Sequence, residues 1–170
     1  MKKKLNNSTL LSLKLICPKC QIKLDKNNNK KNIVECKTCN FKLVFTGDVW
    51  NYNFNPDNNV EFSKQWILWE KGWFGSKKML FASSKDDAFK YILKSLNLLD
   101  NNLIDKHILE IGFGSGRILS YFEKFSKHVF GLDQVKPIKT YNLNPQSLLC
   151  GSLFNIPLIS NQFDIVICQG

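Results

Sequence analysis

Four cysteines form two close pairs, Cys17-x2-Cys20 and Cys36-x2-Cys39, separated by 15 residues. Each pair turns two sulfurs toward a common volume, and four thiolates satisfy the tetrahedral preference of zinc with no position left open for chemistry. The expectation is a structural Zn2+ site, with the tight turns Pro18-Lys19 and Lys37-Thr38 aiming backbone amides back at the sulfurs. Two disulfides in an exported protein are the competing arrangement. Metal in a reducing compartment is favoured because no convincing export signal precedes Cys17. Met1-Lys2-Lys3-Lys4 has the charge of such a signal, yet Asn6, Asn7 and Ser8 follow it, and Lys14 interrupts the apolar stretch from Leu10 to Ile16. Cys150 and Cys168 each stand alone in an apolar stretch and read as small core residues.

A second group of residues lies between an apolar run, His107 to Ile111, and the helical stripe of Ile118, Leu119, Phe122 and Phe125. Gly112, Gly114 and Gly116 let the backbone turn sharply there and approach a ligand, while the start of the helix presents free amides. A tight strand-to-helix turn with no ligand would need the same glycines. Asp133 weighs toward a ligand: it ends the short strand Val129 to Asp133, 21 residues after Gly112, where a doubly wound fold sets a carboxylate to accept both ribose hydroxyls. A dinucleotide fingerprint requires glycine or alanine three residues after Gly114. Arg117 stands there, so nicotinamide cofactors are disfavoured.

These residues need a scaffold, and the hydrophobic pattern supplies one. Leu148 to Ser152 reads as a third strand, and Phe163 to Cys168 as a fourth, apolar enough for burial on both faces. Asp164 reads as a structural cap at the start of that strand. Upstream, Phe89, Ile92, Leu93 and Leu96 mark an amphipathic helix ending near Leu99, with Ser83, Ser84 and the acids Asp86 and Asp87 at its start. Trp66, Trp69 and Trp73 fall on one helical face, suited to packing or, less favoured, to an aromatic ligand cage. The asparagine-rich stretch 51–59 marks a linker. Ahead of it, Leu13 to Ile16, Asn32 to Glu35 and Phe41 to Phe45 read as short strands around the cysteines, closed by Gly47, which is a zinc ribbon. The expected organisation is a ribbon over 1–48, a linker with an aromatic helical segment over 49–84, and the start of a catalytic domain over 85–170.

The sequence Glu110-x-Gly112-x-Gly114-x-Gly116, followed by Asp133, Asn155-x-Pro157 and Phe163-Asp164-x-Val166, resembles the class I S-adenosylmethionine-dependent methyltransferases, in particular the type 11-like group. The ribbon, and a Gln65-Trp66 pair ahead of the main domain, resemble the leader of the same group. The resemblance implies an α/β fold: a partial doubly wound, Rossmann-like sheet preceded by a small zinc-ribbon module. It implies S-adenosyl-L-methionine as cofactor, with Glu110 at its methionine end, Gly112, Gly114 and Gly116 as the floor beneath it, and Asp133 on the ribose. Ser152 and Leu153 would meet the adenine, although the group usually carries an acid where Ser152 stands. The family's strand order is 3-2-1-4-5-7-6, and the chain stops just past the fourth strand, so a piece of a longer enzyme is expected, its fourth strand otherwise a bare apolar edge.

Composition limits the wider reading. At 170 residues, 44% hydrophobic and 22% charged, the chain supports a packed core and excludes large repeat arrays. No apolar run reaches the roughly 18 residues of a membrane span. The net charge of +10 comes from 23 lysines and one arginine beside 19 asparagines, a pattern that suits compositional bias better than selected base readout. Eleven of those lysines lie within residues 1–46, against only Asp25 and Glu35, so a salt-sensitive polyanion contact at the front stays open while nucleic acid is not favoured. The expected activity is cytoplasmic methyl transfer to a small-molecule, glycan or RNA acceptor. The alternative is a non-catalytic ribbon interaction module carrying a methyltransferase remnant.

Overall fold

The computed structural model describes residues 6–26, 32–52, 85–98, 100–136 and 142–168, together with the single positions 64 and 68. Seven strands among them share one mixed sheet: β1 (Ile33–Glu35), β2 (Lys42–Phe45), β3 (Trp50–Tyr52), β4 (His107–Ile111), β5 (His128–Asp133), β6 (Leu148–Gly151) and β7 (Ile165–Cys168). Their spatial order is β1-β2-β3-β6-β5-β4-β7. The last four are mutually parallel, and they lie in the order third, second, first, fourth that the resemblance implies. The antiparallel ribbon strands continue the same sheet, because β3 pairs in parallel with β6 through Trp50↔Leu149, Asn51↔Cys150 and Tyr52↔Gly151.

Side-chain alternation divides the sheet into two faces. Ile108, Val129, Leu148, Ile165 and Ile167 point toward the helices α1 (Lys85–Ser95) and α2 (Leu119–Phe122), where Phe89, Ile92, Leu93, Leu119 and Phe122 bury themselves against them. Leu109, Phe130, Leu132 and Leu149 point the other way, into a core completed by Leu13, Leu15, Phe41, Leu43, Trp50 and Tyr52 of the ribbon. The ribbon therefore covers one face of the central strands. Gly131 makes the helical face possible. A Cβ there would lie 2.7 Å from the Phe113 ring and 2.8 Å from Leu119, so only a bare Cα lets the glycine loop and α2 press onto β5.

The front of the chain is stitched to the far end of the parallel strands. Asn6 Nδ2 donates to Glu123 Oε1 at 3.1 Å and to the Val129 carbonyl at 3.0 Å, and the Ser8 hydroxyl donates to the Lys127 carbonyl at 2.7 Å. Glu123 is fully buried and also accepts from Asn144 N at 2.9 Å. These bonds satisfy a carboxylate that would otherwise be expensive to enclose.

Several expectations are corrected. Leu13 to Ile16 is not a strand: a 3-10 turn at Leu10–Ser12 precedes it, and only the single bridges Leu15↔Leu158 and Ile16↔Lys23 form. Asn51 and Tyr52, assigned by composition to a linker, belong to β3, because pairing with β6 overrides the poor strand propensity of asparagine. The fourth parallel strand is not buried on both faces. Val166 is 53% exposed and Cys168 is exposed, since the ribbon covers β4, β5 and β6 but not β7, and Cys168 is thus no core residue. Leu96 lies past the end of α1 and is exposed. The tryptophans 66, 69 and 73, the Gln65-Trp66 pair, and the serines 83 and 84 fall outside the described residues. No helix among the described residues is long and apolar enough to cross a membrane.

Candidate cofactor and metal sites

The two cysteine pairs meet. One ligand atom from each of Cys17, Cys20, Cys36 and Cys39 lies within 4.8 Å of every other, and Cys17 Sγ is 3.6 Å from Cys39 Sγ. Four sulfurs about 2.3 Å from a tetrahedral zinc would stand roughly 3.8 Å apart, so the cluster has the dimensions of a Zn(Cys)4 centre. Two disulfides would not need all four in one group. Local backbone geometry builds each knuckle: Gln21 takes a left-handed φ of +56° and returns its amide to the Cys17 carbonyl at 2.9 Å, while Cys20 N points at Cys17 Sγ at 3.4 Å. In the second knuckle Cys36 N donates to the Phe41 carbonyl at 3.0 Å.

The thiols differ in acidity. Backbone amides of Thr38 and Cys39 pull Cys36 down to about 7, with the Thr38 amide the stronger influence. The interaction with Cys39, aided by burial, pushes Cys20 up to about 12, and burial raises Cys17. Cys36 is thus close to ionising at neutral pH, while Cys17 and Cys20 would release protons only to a cation that replaces them. With four protein ligands such a centre is structural.

At the C-terminal end of β4 the glycine loop adopts the backbone that its composition requires. Gly112, Gly114 and Gly116 have φ of +73°, +52° and +75°, a region closed to most side chains. Among the described residues a Cβ on Gly112 would meet nothing within 4 Å, so the loop presents open space there, whereas Leu143 packs directly on Gly116. Asp133, at the tip of the neighbouring β5, fixes the loop. Its Oδ2 accepts from Gly114 N at 2.7 Å and its Oδ1 from Val135 N at 3.0 Å. A carboxylate has about four acceptor positions, and the amides of Gly114, Val135 and Gln134 draw on three of them. Burial raises the Asp133 carboxyl, and the amides of Gly114, Val135 and Gln134 oppose that rise.

Glu110, on β4 two residues before Gly112, is 5% exposed. Its carboxylate accepts from the Leu119 amide, yet Oε2 has no hydrogen-bond partner among the described residues. Burial, reinforced by the charge of Asp133, pushes it up to about 8. A buried oxygen without a partner, beside an open glycine turn, suits a ligand that brings its own donor.

Ser152 and Leu153 lie just past β6, both partly buried. The Ser152 hydroxyl accepts from Phe154 N at 3.3 Å, so its hydrogen stays available to an acceptor. The strand order places Glu110, the glycines and Asp133 at adjacent strand ends, with Ser152 one strand further on. Asp164 is at the opposite end of β4, where it accepts from His107 N at 2.8 Å and from Lys106 Nζ at 3.2 Å; the role is structural, but its side chain caps the first amide of β4 and not of its own strand. Sequence reasoning missed Tyr52, whose hydroxyl donates to the Ser152 carbonyl at 2.8 Å. Only its position in a short Trp-Asn-Tyr run after the ribbon turn signalled a strand.

A family model described as "Methyltransferase domain" matches residues 109–170. No curated protein matches the chain.

Proposed function

We propose that the chain, whose residues 109–170 match the methyltransferase-domain model, binds S-adenosyl-L-methionine and transfers its methyl group to a small-molecule, glycan or RNA acceptor. The observation that carries this reading is the buried, unpartnered Oε2 of Glu110 beside the open turn at Gly112. The residues present fit the cofactor. Glu110 would receive its α-amino group, the backbone from Gly112 to Gly116 would let it approach closely, and the Asp133 carboxylate would accept from the ribose. Ser152 differs in chemistry from the usual acid. With its oxygen already accepting from Phe154 N, its hydrogen suits a ring nitrogen of adenine better than the exocyclic amino group.

When bound, the cofactor supplies an electrophilic methyl on a sulfonium. The chain's contribution is positioning, which is worth roughly 7–11 kcal/mol when reacting atoms are held at near-attack geometry. Asp133 does this at two points, bracing Gly114 while holding the ribose. No described residue is assigned as a general base. The zinc centre holds the ribbon and takes no part in the transfer. Reduced thiols favour a cytoplasmic setting. The single arginine weighs against RNA as acceptor and the lysine-rich front weighs for it, so the acceptor class stays broad.

Isothermal titration of the zinc-loaded chain with S-adenosylmethionine tests the reading. Binding in the micromolar range is expected, lost in Asp133→Ala. Absence of any heat change from a folded sample would overturn it and favour a ribbon interaction module, the reading to which Ser152 lends some support.

A further inference from the structure

The loop between β6 and β7 is fastened to the ribbon at both ends. At its start, the Ser152 carbonyl accepts from the Tyr52 hydroxyl at 2.8 Å and from Asn155 N at 3.3 Å. Further along, Ile16 N donates to the Pro157 carbonyl and Ile159 N to the Lys14 carbonyl, each at 3.1 Å. Gln162 locks that end, its Oε1 accepting from Lys14 N at 2.9 Å and its Nε2 donating to the Lys14 carbonyl at 3.1 Å. The residues between these anchors include Ser152 and Leu153, the turn proposed above to meet the adenine ring.

Tyr52 links this turn to the metal knuckle by two contacts. Its ring centroid is 6.4 Å from that of Phe41, and the Phe41 carbonyl closes the second knuckle on Cys36 N. Gly151 permits the approach, because a Cβ there would lie 2.5 Å from the Tyr52 carbonyl oxygen and 2.7 Å from its ring. Tyr52 is itself almost fully buried, so its hydroxyl is held by packing and the bond it makes is well defined. The ribbon thus sets where the residues after β6 sit relative to Asp133 on β5.

Resting on the methyltransferase reading, we infer that Tyr52 is a positioning residue for the adenine end of the cofactor, acting through the Ser152 carbonyl with the ribbon as its footing. Tyr52 need not touch the cofactor. Its hydroxyl restrains the turn that does, and the purine selectivity of the site depends on a residue outside the span that matches the family model.

Titration calorimetry of the zinc-loaded wild type and Tyr52→Phe with S-adenosylhomocysteine and S-inosylhomocysteine tests this. The two ligands differ at the purine 6-position and at N1, an acceptor in adenine and a donor in hypoxanthine. Phenylalanine keeps the ring, and Asn155 N still satisfies the Ser152 carbonyl, so the variant should fold with an unchanged zinc ratio. The expected result is about fivefold weaker binding of S-adenosylhomocysteine, the size of one lost hydrogen bond, together with a smaller preference between the two purines. A merely structural defect would weaken both ligands alike, and that outcome, or unchanged binding of both, overturns the inference. If the wild type binds neither ligand, the methyltransferase reading fails and this inference with it. Should Tyr52→Phe fail to fold, Gln162→Ala releases the other end of the loop and must show the same loss of preference.

Discussion

Glu110 holds a proton more tightly in the folded chain than in the unfolded one, because enclosure and the neighbouring Asp133 charge move it from 4.5 to about 8. Between those values the folded state binds a proton that the unfolded chain has released, so stability falls as pH rises through the window. Asp133 is raised as well and adds to the fall with the same sign. Glu110→Gln removes the larger part of it. Its melting temperature should exceed that of the wild type, with a gap that widens from pH 5 to pH 8 at roughly 2–4 °C per kcal/mol. Scanning calorimetry that finds a constant gap would refute the assignment. The same carboxyl makes binding proton-linked. A cationic amino group placed against Oε2 favours the carboxylate, so loading the cofactor at pH 7 should release up to about one proton per chain. Titrations in buffers of different ionisation enthalpy would detect that proton, and in Glu110→Gln it should vanish.

Among the elements, β5 carries the sharpest steric demand. Gly131→Ala puts a methyl against Phe113, Leu119 and Leu148, and overpacking of this kind should destabilise the chain by about 1–3 kcal/mol in urea unfolding. A loss under half of that would show that the glycine loop repacks freely. The parallel strands were legible because each is a short apolar run bounded by turn residues: His107 to Ile111 ends where Gly112 begins, and Leu148 starts after Pro145. The cysteine knuckles were legible because ligand geometry fixes the spacing. β3 was not, since Trp50-Asn51-Tyr52 has no periodicity long enough to read and its strand state depends on β6, far away in the chain. Leu13 to Ile16 misled in the opposite direction. Its apolar content serves burial against the sheet face, with a single bridge to Leu158 instead of a ladder. Within the site, Glu110 and Asp133 were visible as acids at strand ends, while the tie from Tyr52 to Ser152 required a contact that no local pattern encodes.

For the molecule as a whole, the shared sheet joins the four-cysteine cluster to the parallel strands, so a metal held there would support the fold on both sides of the β3–β6 junction. Purified chain should contain one zinc per molecule, measured by atomic emission, and Cys39→Ser should lower that ratio sharply. A ratio near zero in wild type prepared without chelators would remove the metal centre. Chelation should also uncover Leu109, Phe130, Leu132 and Leu149, the face that the ribbon buries, and raise the fluorescence of a hydrophobic dye. Structural zinc supplies on the order of 10–16 kcal/mol in small modules, enough to decide whether that face is covered. The parallel pairing of Trp50 with Leu149 has a further consequence during synthesis. Translation at about 5–20 residues per second brings the partner strand out of the ribosome several seconds after β3 has emerged. For that interval the nascent ribbon carries an unmatched strand with two large aromatic rings, a natural target for chaperones and for premature association between growing chains.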